Sequence, residues 1–518
     1  MVNKKILLGL LLLAFILPRI FVASPFYFVS MDEAKYLALT SAFPHHTLFN
    51  DQIYVVHPPL FPYLIRLFTV ALPDHTAGIA VSLLFAVVTF FAMVKLFGLL
   101  GKGSCWITIA MFILVVSPLH IPTSRVVYKD SMFLGLFLLS LGFYIRGLVA
   151  GRDGWLWGAG VCGAACCLTS DLGVYLFPCF VLGYLVFRKP GARLRSVSVP
   201  FLLAFIPYAA WLLVRFILFK SNAYYPAGVD GTIESVGEVT LRQLFTPRYF
   251  PVTSTMFDFG FDLTHFGLHG NCYPLCPLLN FSSYWRVAFY SFVALTAFFA
   301  VVRAIVKKDA RNNPAFFFSI MLVLCVLPVV FHPEPRFLIP VLLPMAYLFA
   351  EGVALIASRI PGGTRPLKYV AWALVIVLLI GSGMYVARNR HSIFTLEKEV
   401  EGNKTARYLE SLPGEGVMAQ VGYPPELAYL TGKRVIALPV SPEKLDYFIR
   451  LYDIHYLLYG RHYWGRISAA NAPNIWCYET IKYIRDNPDR YPLLNAVDEE
   501  FKSVSWPDRV FIHSVRQD

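Results

Sequence analysis

The sequence predicts a mainly α, polytopic transmembrane helix bundle of about eleven spans, followed by a small α/β unit outside the membrane. Three observations predict it. Of 518 residues, 57% are hydrophobic and 15% charged, with a mean hydropathy of +0.58. An average soluble domain is about 25% charged. Apolar runs near the ~20 residues that cross a bilayer core recur up to residue 386. Charge is also unevenly placed: positions 387–518 hold 34 of the 77 Asp, Glu, Lys and Arg side chains, 17 of each sign, so the net +13 belongs to the apolar part. This balance excludes a soluble enzyme, a disordered tail and a disulfide scaffold.

The expected spans are 6–23, 77–97, 104–119, 131–149, 154–170, 172–187, 198–219, 285–305, 315–331, 337–357 and 367–386. The pair at 154–170 and 172–187 is short and shares the interruption Thr169-Ser170-Asp171. The first segment follows Lys4-Lys5 and is read as a retained span, because about 18 apolar residues are long for a leader's core. With the N-terminus in the cytoplasm, the short connections on that side carry 17 of the 28 bases, accompanied only by Asp153 and Asp309. Short loops rich in Lys and Arg stay cytoplasmic. The sequence therefore predicts an integral protein of the cell (inner) membrane, N-terminus inside and C-terminal unit extracytoplasmic. The bases belong to membrane topology, not to nucleic-acid binding.

Twelve of the fifteen acids in the apolar part fall on the outer side, and only Glu351 is placed within a span. Transporters more often set ionisable groups at mid-membrane depth. Acids gathered at helix ends and in loops instead predict a site at the outer water–lipid boundary. The first outer loop, 24–76, opens after Met31 on a helical stretch, with Ala34, Leu37 and Ala38 on one face and Asp32-Glu33 in its first turn. Acids there suit the helix dipole. His57-Pro58-Pro59-Leu60 follows. Arg125-Val126-Val127-Tyr128-Lys129-Asp130 precedes the fourth span, Leu168-Thr169-Ser170-Asp171 ends the fifth, and His332-Pro333-Glu334-Pro335-Arg336-Phe337-Leu338-Ile339-Pro340 leads into the tenth.

In order, spacing and common location these stretches resemble the GT-C glycosyltransferases of the protein O-mannosyltransferase and aminoarabinose-transferase (ArnT-like) type. The resemblance implies a catalytic Asp-Glu pair on a membrane-parallel helix, a second acid before the fourth span, and cations that meet a lipid phosphate. Carried onto this sequence, Asp32, Glu33 and Asp130 are the catalytic candidates. His57, Arg125, Lys129 and Arg336 are the donor-phosphate candidates, and Asp171, His332 and Glu334 face the acceptor or cavity. His57 and Ser170 stand where the family pattern commonly carries Lys.

The chemistry also follows from the residues. A sugar held through phosphate on a polyprenyl chain stays in the lipid and presents its anomeric carbon at the surface. The phosphate needs fixed cations. The acceptor needs a carboxylate to take its proton, and Asp32 is first choice. A single displacement inverts the anomeric carbon. Glu33 orients an acceptor or a metal. A divalent metal stays open, because hard cations take six or more oxygens and one acid pair supplies too few. The expected partners are the polyprenyl-phosphate sugar donor, a lipid, glycan or protein acceptor, and membrane lipids. A lipid-linked glycan polymerase or ligase and a lipid or solute transporter remain alternatives.

The outer loop 220–284 holds Asp258, Asp262, His265 and His269 at irregular spacing and is read as a folded cover. Cys272 and Cys276 lie on the oxidising side, where a disulfide is open to them. The six cysteines within spans are read as small packing residues. From about 391 the period changes: helices at 405–412, 425–431 and 443–452 alternate with strands at 416–420, 434–438 and 456–459. That alternation predicts the α/β unit, for which acceptor recognition, shielding of the cavity and a purely structural cap are equally open roles.

Overall fold

A computed structural model of the chain describes residues 4–22, 26–27, the helical positions 33, 36, 37 and 40, then 58–117, 120–188, 194–220, 298, 302, 313–331, 335–360, 365–395, 397–398, 404–419, 424–439, 442–460, 478–498 and 509–516. The membrane part is helical: α1 Lys4–Ile20, α2 Leu60–Phe68, α3 Asp74–Leu99, α4 Ser104–Val115, the single turn α5 His120–Thr123, α6 Asp130–Ala150, α7 Asp153–Cys167, α8 Leu176–Phe187, α9 Arg195–Lys220, α10 Pro314–Phe331, α11 Leu342–Ala357 and α12 Arg365–Arg388. Among the described residues five helical stretches are long and apolar enough to cross a membrane: Asp74–Leu99, Asp130–Ala150, Arg195–Val214, Leu338–Ala357 and Arg365–Arg388. The expected span at 285–305 lies outside the described residues apart from two helical positions.

Two expected spans differ in detail. The third stops at Val115, because Pro118 follows and the chain turns into α5. Twelve residues make a helix of only about 18 Å, shorter than the ~30 Å hydrocarbon core. The Thr169-Ser170 interruption separates α7 from a 3-10 turn, Asp171–Tyr175, that runs on into α8. Glu351 is not alone in its span: Lys102, in the turn between α3 and α4, reaches it at 2.6 Å. Trp106 and Tyr347 flank that lysine at 4.8 and 5.0 Å from their ring centroids.

The first and last of these helices are neighbours. α1 packs against α12, with Ser382 Oγ donating to the Ala14 carbonyl at 3.0 Å. The chain beyond each helix continues the pairing, as β1 (Phe21–Val22) runs antiparallel to β3 (His391–Ser392). Beside it β2 (Phe26–Tyr27) pairs in parallel with β4 (Glu397–Lys398). Cys166, Cys167, Cys179 and Cys325 are buried, free and packed, as expected of span cysteines.

Residues 404–514 build a five-stranded mixed sheet from β5 Gly416–Ala419, β6 Arg434–Ala437, β7 Ile454–Gly460, β8 Leu493–Asp498 and β9 Arg509–Ser514, in the order β6-β5-β7-β9-β8. Strands β6, β5 and β7 are parallel, while β9 is antiparallel to both its neighbours. Successive side chains of β7 go to opposite faces, as strand geometry requires. Tyr456 and Leu458 join a core under α13 (Lys404–Ser411) and α14 (Pro424–Thr431). Leu457 and Tyr459 join one under α15 (Leu445–Tyr452) and α16 (Tyr478–Asp486).

Candidate functional site

The helical positions of the first loop form one stripe. Glu33, Tyr36, Leu37 and Thr40 follow the i, i+3, i+4, i+7 spacing of a single helix face and all four are buried. Leu37 was expected inside. Glu33, expected in the first turn of that helix, is only 2% exposed. The stripe rests on α2 and on the segment before α6. Tyr36 meets Phe61 edge-on at 5.1 Å and Tyr128 at 6.5 Å, and Thr40 Oγ1 donates to the Pro62 carbonyl at 3.4 Å. Glu33 Oε1 accepts the backbone N–H of Val127 at 2.7 Å. One hydrogen bond thus joins two stretches 94 residues apart, Glu33 of the first loop and the Arg125–Asp130 motif.

A row of polar and small residues on α3 makes that junction fit. Asp74, Gly78 and Ser82 recur at intervals of four along one face. A Cβ on Gly78 would lie 2.6 Å from Val127 Cγ1, so only glycine lets the 125–129 segment press this closely. Ser82 Oγ both donates to the Tyr128 carbonyl at 3.2 Å and accepts its N–H at 3.3 Å. The backbone is then held in place as it enters α6. Lys129 sits just before that helix and Asp130 in its first turn, 2% exposed, where the helix dipole favours a carboxylate.

Two further motifs meet through their backbones. Leu60 N–H donates to the Leu168 carbonyl at 3.0 Å, tying the Pro58-Pro59-Leu60 segment to Leu168-Thr169-Ser170-Asp171. Thr169 and Ser170 are buried there, and Asp171 Oδ1 accepts the Tyr208 hydroxyl at 3.0 Å. Arg125 is buried, and its Nη1 donates to the hydroxyl of Tyr385 on α12 at 2.7 Å.

A second buried guanidinium stands close to Arg125. Arg19, near the end of α1, donates to the Phe15 carbonyl at 2.6 Å, to the Leu114 carbonyl at 3.3 Å and to His120 Nδ1 at 2.9 Å, and its carbon lies 3.6 Å over the Phe15 ring. A guanidinium only donates. Nδ1 of His120 is therefore the acceptor and the ring is neutral. That arrangement tolerates a buried Arg19 beside Arg125 with one fewer positive charge.

The C-terminal sheet reaches the same place. Tyr429 of α14 packs into the bundle core with its hydroxyl sealed from solvent, and Asp74 and Glu33 are the carboxylates that act on it. Burial first, and the two carboxylates second, push the phenol well above its ordinary value of 10.0.

Of the residues singled out from sequence, Glu33, Arg125, Lys129, Asp130 and Asp171 lie in these junctions. Arg336 is placed in a 3-10 helix, Pro335–Val341, leading into α11. Asp32, His57, His332 and Glu334 lie outside the described residues, as do the 220–284 loop beyond Lys220 and the Cys272/Cys276 pair. Among the described residues no three His, Cys, Asp or Glu side chains gather as a metal site. Arg19, His120, Tyr385, Tyr208 and Tyr429 were not singled out. Only Arg19 carried a signal, as a charge inside an apolar run.

Residues 56–227 match the sequence profile of the dolichyl-phosphate-mannose-protein mannosyltransferase family. A comparison with curated proteins finds no match. Among solved structures, ArnT from Cupriavidus metallidurans in the apo state aligns with a TM-score of 0.53 at 13% identity, covering 98% of this chain and 97% of that one. ArnT from the same organism bound to undecaprenyl phosphate aligns at 0.51 and 14% identity, over 98% and 97%. The archaeal oligosaccharyltransferase AglB from Archaeoglobus fulgidus, in complex with an inhibitory peptide and a dolichol-phosphate, aligns at 0.47 and 12%, over 88% and 69%. The chain is an integral membrane protein with the GT-C fold of the ArnT structures, and across residues 56–227 its sequence matches the protein mannosyltransferase family.

Proposed function

We propose that the chain is an inverting glycosyltransferase that moves a sugar from a polyprenyl-phosphate carrier to an acceptor on the extracytoplasmic face. Residues 1–386 form the catalytic bundle with outer loops 24–76 and 220–284, and residues 387–518 the extracytoplasmic unit. The observation that carries this reading is the buried Glu33–Val127 hydrogen bond. It sets Glu33 beside the helix start that holds Lys129 and Asp130. The undecaprenyl phosphate bound to ArnT supports a lipid-phosphate donor for a chain of the same fold.

The acceptor oxygen or nitrogen attacks the anomeric carbon from the face opposite the phosphate. Its new bond forms as the carbon–oxygen bond to phosphate breaks. The electron pair leaves with the polyprenyl phosphate, and the acceptor's proton passes to the carboxylate of Asp32. Glu33 orients the acceptor, Asp130 completes the acidic face, and Asp171, His332 and Glu334 line its approach. Lys129, Arg125, His57 and Arg336 stabilise the charge that develops on the leaving phosphate. Fixed donors of this kind act more strongly in a site shielded from water.

Purified protein in nanodiscs, supplied with radiolabelled polyprenyl-phosphate hexose or pentose and cell-envelope acceptors, tests the reaction. Wild type is expected to move label, and Asp32→Asn to do so at least ~100-fold more slowly, the lower range for losing a general base. Equal transfer by both removes Asp32 as the base. No transfer from any donor by wild type returns the polymerase and transporter readings. Protease added outside sealed cells is expected to cut within 387–518; full protection reverses the orientation.

A further inference from the structure

We infer that Arg19 is a positioning residue that pins the near end of the 120–130 segment, which carries Arg125, Lys129 and Asp130; the inference rests on the transferase reading above. A charge within an apolar helix is costly and marks a working position. Arg19 is fully buried on α1, and among the described residues its hydrogen bonds end on two carbonyls and an imidazole, none on a carboxylate. A cation kept for ion pairing would face an acid. One kept for geometry uses the rigid fork of the guanidinium, as Arg19 does. Its Nη1 folds back to the Phe15 carbonyl of its own helix. Its Nη2 reaches both the Leu114 carbonyl, at the end of α4, and His120 Nδ1, at the start of α5. A single nitrogen thereby bridges the join between those helices, at the negative end of the α4 dipole.

Three contacts fix His120. Arg19 bonds its ring, the Phe15 ring lies 5.8 Å from it, and its backbone N–H donates to Ser117 Oγ at 3.1 Å. From there the backbone is tied turn by turn. Ser124 N–H donates to the His120 carbonyl at 3.2 Å, and Ser124 Oγ to that of Ile121 at 2.8 Å. Arg125 N–H donates to the Pro122 carbonyl at 3.1 Å, and Ser131 Oγ of α6 to the Thr123 carbonyl at 3.3 Å. The backbone that aims the Arg125 guanidinium at Tyr385 is thus built outward from His120. The far end of the segment is held separately, through Val127 on Glu33 and Tyr128 on Ser82. With the far pin alone, Arg125 and the approach to Lys129 and Asp130 lose one of their two anchors.

The test uses the full chain in nanodiscs with His120→Leu, His120→Asn, Arg19→Lys and, as control, Tyr144→Phe, which removes a buried hydrogen bond to the Phe180 carbonyl elsewhere in the bundle. Asparagine keeps an acceptor, leucine keeps only bulk, and lysine keeps the charge without the fork. Amide exchange across 120–130 is expected to speed up about 10-fold or more in His120→Leu and Arg19→Lys, the scale of one hydrogen bond to a charged group. It should stay near wild type in His120→Asn and in the control. Donor kcat/KM per folded protein, read well below the melting temperatures, should fall about 10–100-fold in the same two variants, with the acceptor KM within about 2-fold. A purely structural arginine would lower the melting temperature and leave the rate per folded molecule unmoved. Wild-type exchange or a wild-type rate in His120→Leu overturns the inference, as does equal loosening in the control or in His120→Asn. If His120→Leu does not fold, the same readings on Arg19→Lys decide. If wild type itself moves no sugar, the transferase reading fails separately, and exchange alone then decides whether Arg19 holds the segment.

Discussion

A carboxylate that is 2% exposed and accepts a backbone amide has a structural duty and a chemical one, and two substitutions at Glu33 separate them. Glutamine still offers an oxygen to the Val127 N–H. Alanine leaves that donor buried and unpaired, at a cost of about 1–3 kcal/mol. Glu33→Ala is therefore expected to melt lower than wild type and Glu33→Gln to melt near it while transferring sugar more slowly. Melting and transfer measured on one preparation check both, and full transfer by the glutamine variant would leave Glu33 structural only. At this scale the sequence showed the acid pair, because two adjacent acids after an apolar span are conspicuous. It did not single out the buried Tyr36 and Thr40; of the expected face, Leu37 is buried, while Ala34 and Ala38 lie outside the described residues. Tyr385, Tyr208 and Tyr429 are three of 29 tyrosines, and no spacing rule marks them off from core aromatics.

Helix α3 acts as a template, and its tightest point is Gly78. An added methyl would meet both Cγ atoms of Val127, at 2.6 and 2.8 Å, with no flexible side-chain end to move aside. Gly78→Ala should cost about 1–3 kcal/mol as overpacking. Gly142→Ala, in α6 with open space around it, should instead gain about 0.5–1 kcal/mol from helix propensity. Detergent-phase melting of the two variants compares them, and equal behaviour would mean that the 125–129 segment yields freely. The motifs themselves were legible as short strings at fixed order. Their contacts were not, since the Leu60–Leu168 hydrogen bond depends on where α7 ends and not on any local pattern. The first elements of the sheet were legible up to Tyr459 because short apolar runs alternate there with helical stretches. In β9 Val510 and Ile512 enter the core on one face, but its pairing with β7 joins residues fifty or more apart.

The molecule as a whole joins a lipid-bound bundle to a water-facing sheet, and the sheet carries its own response to acid. His513 is buried, with Nδ1 2.9 Å from the Tyr491 carbonyl and Nε2 3.0 Å from the Tyr459 hydroxyl. The carbonyl only accepts, so Nδ1 bears the proton and Nε2 accepts from the tyrosine, a neutral ring. Burial lowers its pKa below the ordinary 6.5, partly opposed by the Tyr491 hydrogen bond. The unfolded chain therefore takes up the proton first as pH falls. Stability is steady above about pH 6.5 and declines from there down to the folded value. Wild type should lose melting temperature between about pH 7 and 5 more steeply than His513→Asn, and parallel curves would assign the acid response elsewhere. Composition and hydropathy made the bundle legible. The meeting of sheet and bundle at Tyr429 was not, because nothing local in α14 says what its second face will touch.

The contact between α1 and α12 sets a timetable for the chain. Ala14 and Ser382 are 368 residues apart, and Arg125 waits for Tyr385 in the same way. At about 5–20 residues synthesised per second, the first helix is made on the order of half a minute before its permanent neighbour. Through that interval the Arg125 guanidinium, already in the membrane region, lacks the hydroxyl it will bond, and the β1 edge lacks β3. A chain ending before residue 365 would own every acid placed in the site and still leave its first helix without the helix that closes it. Termination before α12 therefore leaves α1 without its packing partner and β1 without β3.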